Sequence, residues 1–384
     1  MRLLVVVTFA ALVTAASTAQ VMNEYLERNV AVSAVLANGC TINIRRDLDQ
    51  LQPVYIRNGR YLSPHENSGL IRLNTNEQVT IACTGYRNYI RHPQVAANFR
   101  IGNIRCVSGV RVRWQNSQIV SDFKHFTCNV QPIPDTPNTP RSCWNNQARR
   151  INVGFTVQNF IELYSSCFDD RNLIALYVSY PQTRENYIYQ PGAGRPYFQP
   201  GTFFPVDINR LYTYTTHKNT IARITGQNTY INNVYNITRG HLAAKTDFVF
   251  ATGQSSTFWY INAAPQWSTI NSGNWETLEK NLRARIANAG YNTMIYTGTL
   301  GVTTLRHIDN TPKRIYLDDS NRVPVPEYFY KKPASHDDAV PSVALFGVVE
   351  RIMETQADSR TNLVGSSRGT ATPQTFTIDP SGDH

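Results

Sequence analysis

Between residues 30 and 130, apolar and polar positions alternate in short runs such as CTINIRR, GLIRLN, QVTIACTG and GVRVRWQ, separated by Gly, Asn and Pro. A period of two buries one face of a strand and wets the other. No helical period lasts ten residues here, so the segment predicts a small β unit. Strands continue further on in INVGFTVQ, NLIALYVSY, TMIYTGTLGV and AVPSVALFGVV, where they surround one clear helix. In STINSGNWETLEKNLRARIANAG the apolar residues Ile270, Trp275, Leu278, Leu282 and Ile286 step by close to 3.6 after the first turn. Asn271 or Ser272 is placed to cap its start and Gly290 to end it. The expected class is therefore α+β, mostly antiparallel strands with helices packed on them.

Between the two regions lies QPIPDTPNTPRSC, residues 131–143, whose four prolines remove backbone donors and fix φ. It reads as an extended linker. The expected organisation is a signal peptide over 1–19, a β-rich unit over 20–130, this linker, and a second domain over 144–384. The Ser, Thr and Gly content from about 358 onwards predicts a mobile tail.

The opening MRLLVVVTFAALVTAASTAQ has one cation at Arg2, an apolar run over 3–13 and small residues before Gln20. That is the pattern of a secretory signal cut after Ala19. The run is shorter than the ~20 residues a membrane span requires, and no later segment is longer. The expected location is extracellular, with no membrane partner. Six cysteines, none beyond Cys167, fit that compartment: Cys40, Cys83, Cys106, Cys128, Cys143 and Cys167 read as three disulfides. Their spacing leaves every pairing open and matches no zinc motif.

The net charge of +10 is unevenly spread. Residues 20–150 carry 16 Lys and Arg against 8 Asp and Glu, and fifteen of those cations are arginine. Residues 151–384 are close to neutral, with 20 against 19. Arginine's planar fork suits bidentate contact with phosphate, so the basic half points to a polyanion, a nucleic acid before an acidic glycan.

Candidate chemistry concentrates in TRGHLAAKTDF (238–248) and YINAAPQWSTINSGNWETLE (260–279). The pair resembles the secreted DNA/RNA non-specific endonucleases of the Serratia nuclease type, built on a ββα-metal fold. Arg239, Gly240 and His241 match three residues of that family's D-R-G-H motif. Asn262, Pro265 and Gln266 match its N-x-x-P-Q, and Asn271, Gly273, Trp275 and Glu279 match the helix that follows. The resemblance covers about 150–355. VPVPEYFYKK (323–332) is most similar to the arthropod branch, which includes double-stranded-RNA nucleases.

The resemblance implies a role for each residue. His241, with an ordinary pKa near ~6.5, is the general base that takes a proton from water. Asn271 is the direct protein ligand of a hydrated Mg²⁺, with Mn²⁺ a possible substitute. Glu279, two helical turns or roughly 12 Å further on, acts through metal-bound water. Arg239 holds the scissile phosphate, Arg195 in GAGRPYFQPGTF is the second phosphate arginine, and Asn262 belongs to the substrate-binding set, or orders the groups around the metal or the adjoining loop. Gly240 is expected to allow a close backbone approach. DNA and RNA, double-stranded in particular, are the implied substrates, with 5′-phosphate products.

Thr238 departs from the family pattern, which has aspartate there, and removes a negative charge beside the metal and the base. It also completes Asn236-Ile237-Thr238, the one N-glycosylation sequon of the chain, expected to stay unmodified so close to the site. Two alternatives follow. One is a nucleic-acid-binding protein on a nuclease scaffold with little or no turnover; the other is a glycan-binding protein that uses the arginine-rich half.

Overall fold

The computed structural model describes residues 39–137 and 141–334. The signal segment, the strand expected at AVPSVALFGVV and the tail from 358 lie outside them. Two six-stranded antiparallel sheets dominate. The first runs, in spatial order, Arg60–Tyr61, Val54–Arg57, Gln78–Ala82, Ile101–Ser108, Arg111–Trp114 and Val120–Asp122. The second runs Arg141–Cys143, Ala148–Val157, Asn159–Asp169, Ile174–Gln182, Thr293–Leu300 and Tyr328–Ala334. The α+β class expected from the alternating pattern is what forms. Among the described residues no helix is long and apolar enough to cross a membrane.

The alternation is literal in the first sheet. Along Ile101–Ser108 the inward residues Ile104 and Cys106 are buried while Asn103 and Arg105 reach solvent. Inward residues pack around Tyr55, Trp114, Phe123 and Phe126. Two disulfides, Cys40–Cys106 and Cys83–Cys128, tie this unit, and Cys143–Cys167 ties the edge of the second sheet. Of the fifteen connectivities that six cysteines allow, this is the one the fold selects. Closing loops of 66, 45 and 24 residues removes unfolded-state entropy worth roughly 3–5 kcal/mol each.

The second sheet carries the larger core, with Tyr164, Phe168, Val178, Tyr180 and Ile295 facing a layer that includes Leu242, Tyr260, Ile261, Trp267 and Trp275. The sheets also touch each other. Val54, Ile56 and Ala82 of the first pack on Phe155 and Val157 of the second. At this seam the Tyr61 hydroxyl donates to the Ile161 carbonyl at 2.5 Å and accepts from the Phe155 amide at 3.2 Å. The proline-rich segment is hydrogen-bonded to both units: Ile133 N to Thr84 O, and Asp135 in both directions with Gly154. Proline withholds donors, yet the residues between the prolines supply them.

Phe155 is 1% exposed and has no route to relax into solvent. Phe155→Ala is expected to cost about 3–5 kcal/mol in urea unfolding. Because that side chain is shared by both sheets, far-UV and tryptophan signals should shift together in one transition.

Candidate active site

Two five-residue strands frame the site. Ile237–His241 pairs antiparallel with Ala263–Trp267, placing Thr238 opposite Gln266, Arg239 opposite Pro265 and His241 opposite Ala263. The helical run Ser268–Ile270, Asn271–Trp275 and Glu276–Ala289 follows directly, completing a ββα unit. Alternation along the first strand sends Arg239 and His241 to one side and Thr238 and Gly240 to the other.

On the first side, the guanidinium of Arg239 lies over the rings of Tyr212, Tyr260 and Phe198 at 5.2, 5.5 and 5.8 Å. Its Nε donates to the Tyr260 hydroxyl at 2.8 Å, which in turn donates to Asn209 Oδ1 at 3.0 Å. One nitrogen of the fork is thus used for position, and the terminal amines remain for a ligand. The His241 ring packs against Phe258 edge-on at 4.8 Å and against Phe198 at 5.0 Å. Its Nε2 is covered and has no hydrogen-bond partner. Burial, with Arg195 and Lys245 close by, holds the imidazole down at about 3, so it is neutral at physiological pH. Arg195 is exposed, with its guanidinium 5.6 Å from the Phe258 ring, on the same side as His241.

Across the ribbon, the Thr238 hydroxyl donates to the main-chain carbonyl of its partner Gln266 at 2.9 Å and accepts from Asn271 Nδ2 at 3.0 Å. The Asn271 amide nitrogen is fixed, and its carbonyl oxygen has no protein partner among the described residues. Asn271 therefore does not cap the helix. Nor does Ser272, whose hydroxyl donates to the Ser268 carbonyl at 2.7 Å. The helix starts at Ser268, earlier than expected, and Asn271 sits in a wide turn broken at Gly273 (φ −111°, ψ −112°). Such wide turns concentrate at functional sites because they re-aim a side chain without ending the helix. The step of five from Ile270 to Trp275 is its trace in the sequence. Gly290 ends the helix as expected, in the left-handed region at φ 71°.

Two other expectations change. Asn262 is fully buried, and its amide is committed to the backbone: Nδ2 to the carbonyls of Ala243 and Thr257, Oδ1 from the Ala243 amide. At 0% exposure it does not reach the surface that substrate would meet. It clamps the loop that follows His241. At Gly240 the close neighbour is a side chain and not backbone, since a Cβ there would stand 2.3 Å from Gln266 Oε1.

Glu279 adjoins a buried polar network. Asp247 accepts from Arg283 at 2.5 Å, from Tyr180 at 2.5 Å and from Lys331 at 3.2 Å. Burial alone would raise the Asp247 carboxyl, but Lys331 and Arg283 hold it below its ordinary range. Burial pushes Glu279 up to about 7, with Asp247 adding to the rise and Lys331 and Arg283 opposing it. Lys245, Tyr212, Tyr260, Asn209 and this network were not singled out in the sequence. Lys245 and Asp247 lie within the motif segment and Arg283 one turn beyond Glu279, so their proximity was legible. Lys331 arrives from a distant strand and Asn209 from a short helix well before the motif. No group of three His, Cys, Asp or Glu is gathered among the described residues. A single neutral oxygen, as at Asn271, suits a hard cation that keeps most of its water.

A profile of the DNA/RNA non-specific endonuclease family matches residues 146–361. The chain belongs to that family and is a nuclease, as the motif resemblance led us to expect. Among its relatives is a salivary endonuclease of Lutzomyia longipalpis, 27% identical over 311 residues, 78% of this chain and 69% of the relative. A second, a salivary endonuclease of Culex quinquefasciatus, is 26% identical over 214 residues, 54% of each chain. These are arthropod proteins, the expected branch. Among solved structures, one from the crystal structure of the EndoG/EndoGI complex is 24% identical, covering 46% of this chain and 66% of its own, with a TM-score of 0.32.

Thr238→Val keeps the shape and removes both hydrogen bonds. Activity is expected to fall about tenfold, the worth of one to two hydrogen bonds, while Thr238→Ser retains it. Thr238→Asp should not raise activity, because a carboxylate would face the Gln266 carbonyl. The pH profile separates the two titrating groups. The acid limb of kcat/KM is expected near 7, set by Glu279, and Glu279→Gln should remove it and leave the rate flat down to about 5. A limb at about 6.5, the ordinary imidazole value, that survives Glu279→Gln would assign it to His241 and contradict the buried imidazole.

Proposed function

We propose that the protein is a secreted, Mg²⁺-dependent endonuclease that cleaves DNA and RNA to 5′-phosphate ends, with His241 as the general base. The observation that carries this reading is a neutral, half-buried imidazole on the same strand face as an arginine whose fork is fixed at one nitrogen and free at the others. The covered Nε2 has no partner, so with the proton assigned to Nε2 the Nδ1 lone pair would receive the proton of the attacking water. Arg239 binds a non-bridging oxygen of the scissile phosphate, and Arg195, from its exposed loop, binds a second. Asn271 would hold the cation through its carbonyl oxygen, with Thr238 fixing the amide. When bound, that ion neutralises charge on the phosphate and on the departing 3′ oxygen. Glu279 would accept a proton or hydrogen bonds from the ion's water.

Contacts confined to phosphate give little base preference. The first sheet supports this picture: Arg105 faces Arg113 directly across two strands, and neither has an acidic partner among the described residues. Like charges in register destabilise a sheet, and a bound phosphate backbone would relieve them. The disulfides and the salivary relatives support an extracellular location, and double-stranded RNA is the substrate we expect to be preferred. The sequon residue Asn236 is half-buried, with its backbone bonded in both directions to Ser268, and it is proposed to carry no glycan.

The purified protein, incubated with plasmid DNA and long double-stranded RNA, should cut both with Mg²⁺ and neither in EDTA. His241→Ala should lose about 10²–10⁴-fold in rate. Retardation of both nucleic acids on a gel without cleavage by the wild type would establish the binding-protein alternative. Affinity for either should fall steeply with salt, and Arg105→Ala with Arg113→Ala should flatten that slope by about two charges' worth.

A further inference from the structure

Away from the nuclease site, the first unit carries a cavity of about 430 Å³ lined by Ile90, Arg91, His92, Pro93, Val95, Ala97, His125 and Thr127. Its floor is the short ribbon Ile90–Arg91 with Thr127–Cys128, in which Arg91 and Thr127 stand directly opposite each other. Ile90 and Cys128 point into the core, so Arg91 and Thr127 point outward together. One wall is the His92 ring. That ring stacks on Phe126 at 4.6 Å and 14°, and Phe126 stacks on Trp114 at 5.8 Å and 15°. Phe126 and Trp114 are buried and do not line the cavity, whereas His92 does. His92 is therefore the outermost plate of a three-ring column. Its Nδ1 accepts from the Gln94 amide at 3.2 Å, which fixes the ring plane. His125, exposed, also lines the cavity, with Nδ1 bonded to Ser121 Oγ at 2.9 Å.

We infer that this cavity binds an unpaired nucleotide, whose base extends the ring column on His92 and whose phosphate is held by Arg91, Thr127 and His125. Each part has a physical reason. A flat π surface at the end of a rigid stack accepts any nucleobase at little entropic cost, and stacking on aromatic side chains is the sequence-tolerant way to bind single strands. Burial, with His125 nearby, lowers the His92 pKa, so the plate is an uncharged ring at neutral pH. Arg91 supplies the fork that phosphate prefers, and Thr127 a hydroxyl at its side. The volume lies within the range of small-ligand sites. The inference rests on the proposed function only in that the protein meets nucleic acid. Its role would be to hold a frayed end or a loop of the polymer while the second unit cuts elsewhere.

The test uses the full-length protein carrying His241→Ala, with ¹³C-labelled histidine and without divalent metal, titrated with AMP and separately with ribose 5-phosphate. With AMP, the His92 resonance should show a ring-current shift and His125 should move with it; ribose 5-phosphate should move His125 and leave His92 nearly still. His92→Ala should weaken AMP binding about tenfold, the worth of one base stack, and His92→Phe, which keeps a plate, should restore most of it. Arg91→Ala should weaken both ligands. If AMP moves neither histidine, or if His92→Ala binds AMP as well as the parent, the inference is wrong. Because cleavage is never read in this experiment, that outcome leaves the nuclease reading untouched.

Discussion

The register of two five-residue strands, Ile237–His241 on Ala263–Trp267, is the constraint on which the site depends. It sets Thr238 against the Gln266 carbonyl, and through Thr238 it sets Asn271. The same alternation turns Arg239 and His241 towards the aromatic wall that receives them. A slip of one residue would exchange the two faces. The ribbon is short and contributes few hydrogen bonds of its own, so its register is held from outside. Asn262 does this at one end with three side-chain bonds, and Gln266 does it in the middle by filling the space where Gly240 has no Cβ.

Charge in this protein is arranged in two contrasting ways. Inside the second unit, Asp247, Arg283, Lys331 and Tyr180 satisfy one another away from water and join a loop, the long helix and two strands of the sheet. Removing one partner there would strand a buried charge at a cost of about 3–5 kcal/mol. On the first sheet, by contrast, Arg105 and Arg113 stand side by side with no acidic partner among the described residues. The first arrangement supports the fold around Glu279. The second is suited to an external anion.

The motif residues show how far local reasoning reaches. The helix spacing of Trp275, Leu278, Leu282 and Ile286 gave the buried face correctly, whereas the wide turn that carries Asn271 stands where a helix cap was expected. Of the roles expected for Asn262, the ordering of the adjoining loop is the one its hydrogen bonds display. A buried asparagine and an exposed one look alike in a sequence, and only the backbone of Ala243 and Thr257 closing on its amide distinguishes them. The same limit applies to Thr238. Its hydroxyl reads as a lost carboxylate until the Gln266 carbonyl is seen to need a donor.

Periodicity and composition determined the class of the fold, the basic character of the first half and the presence of a disulfide framework, while the motif resemblance pointed to the candidate segments. Each of these follows from local chemistry: alternation from strand geometry, charge from counting, motif spacing from the pitch of a helix. Tertiary structure alone decided which cysteines pair, that the two sheets share an apolar seam at Phe155, and that Lys331 reaches Asp247 across 84 residues of chain. It also decided that His92 caps a stack of rings drawn from three separate segments. Those outcomes depend on where distant strands meet, and no spacing along the chain encodes that meeting.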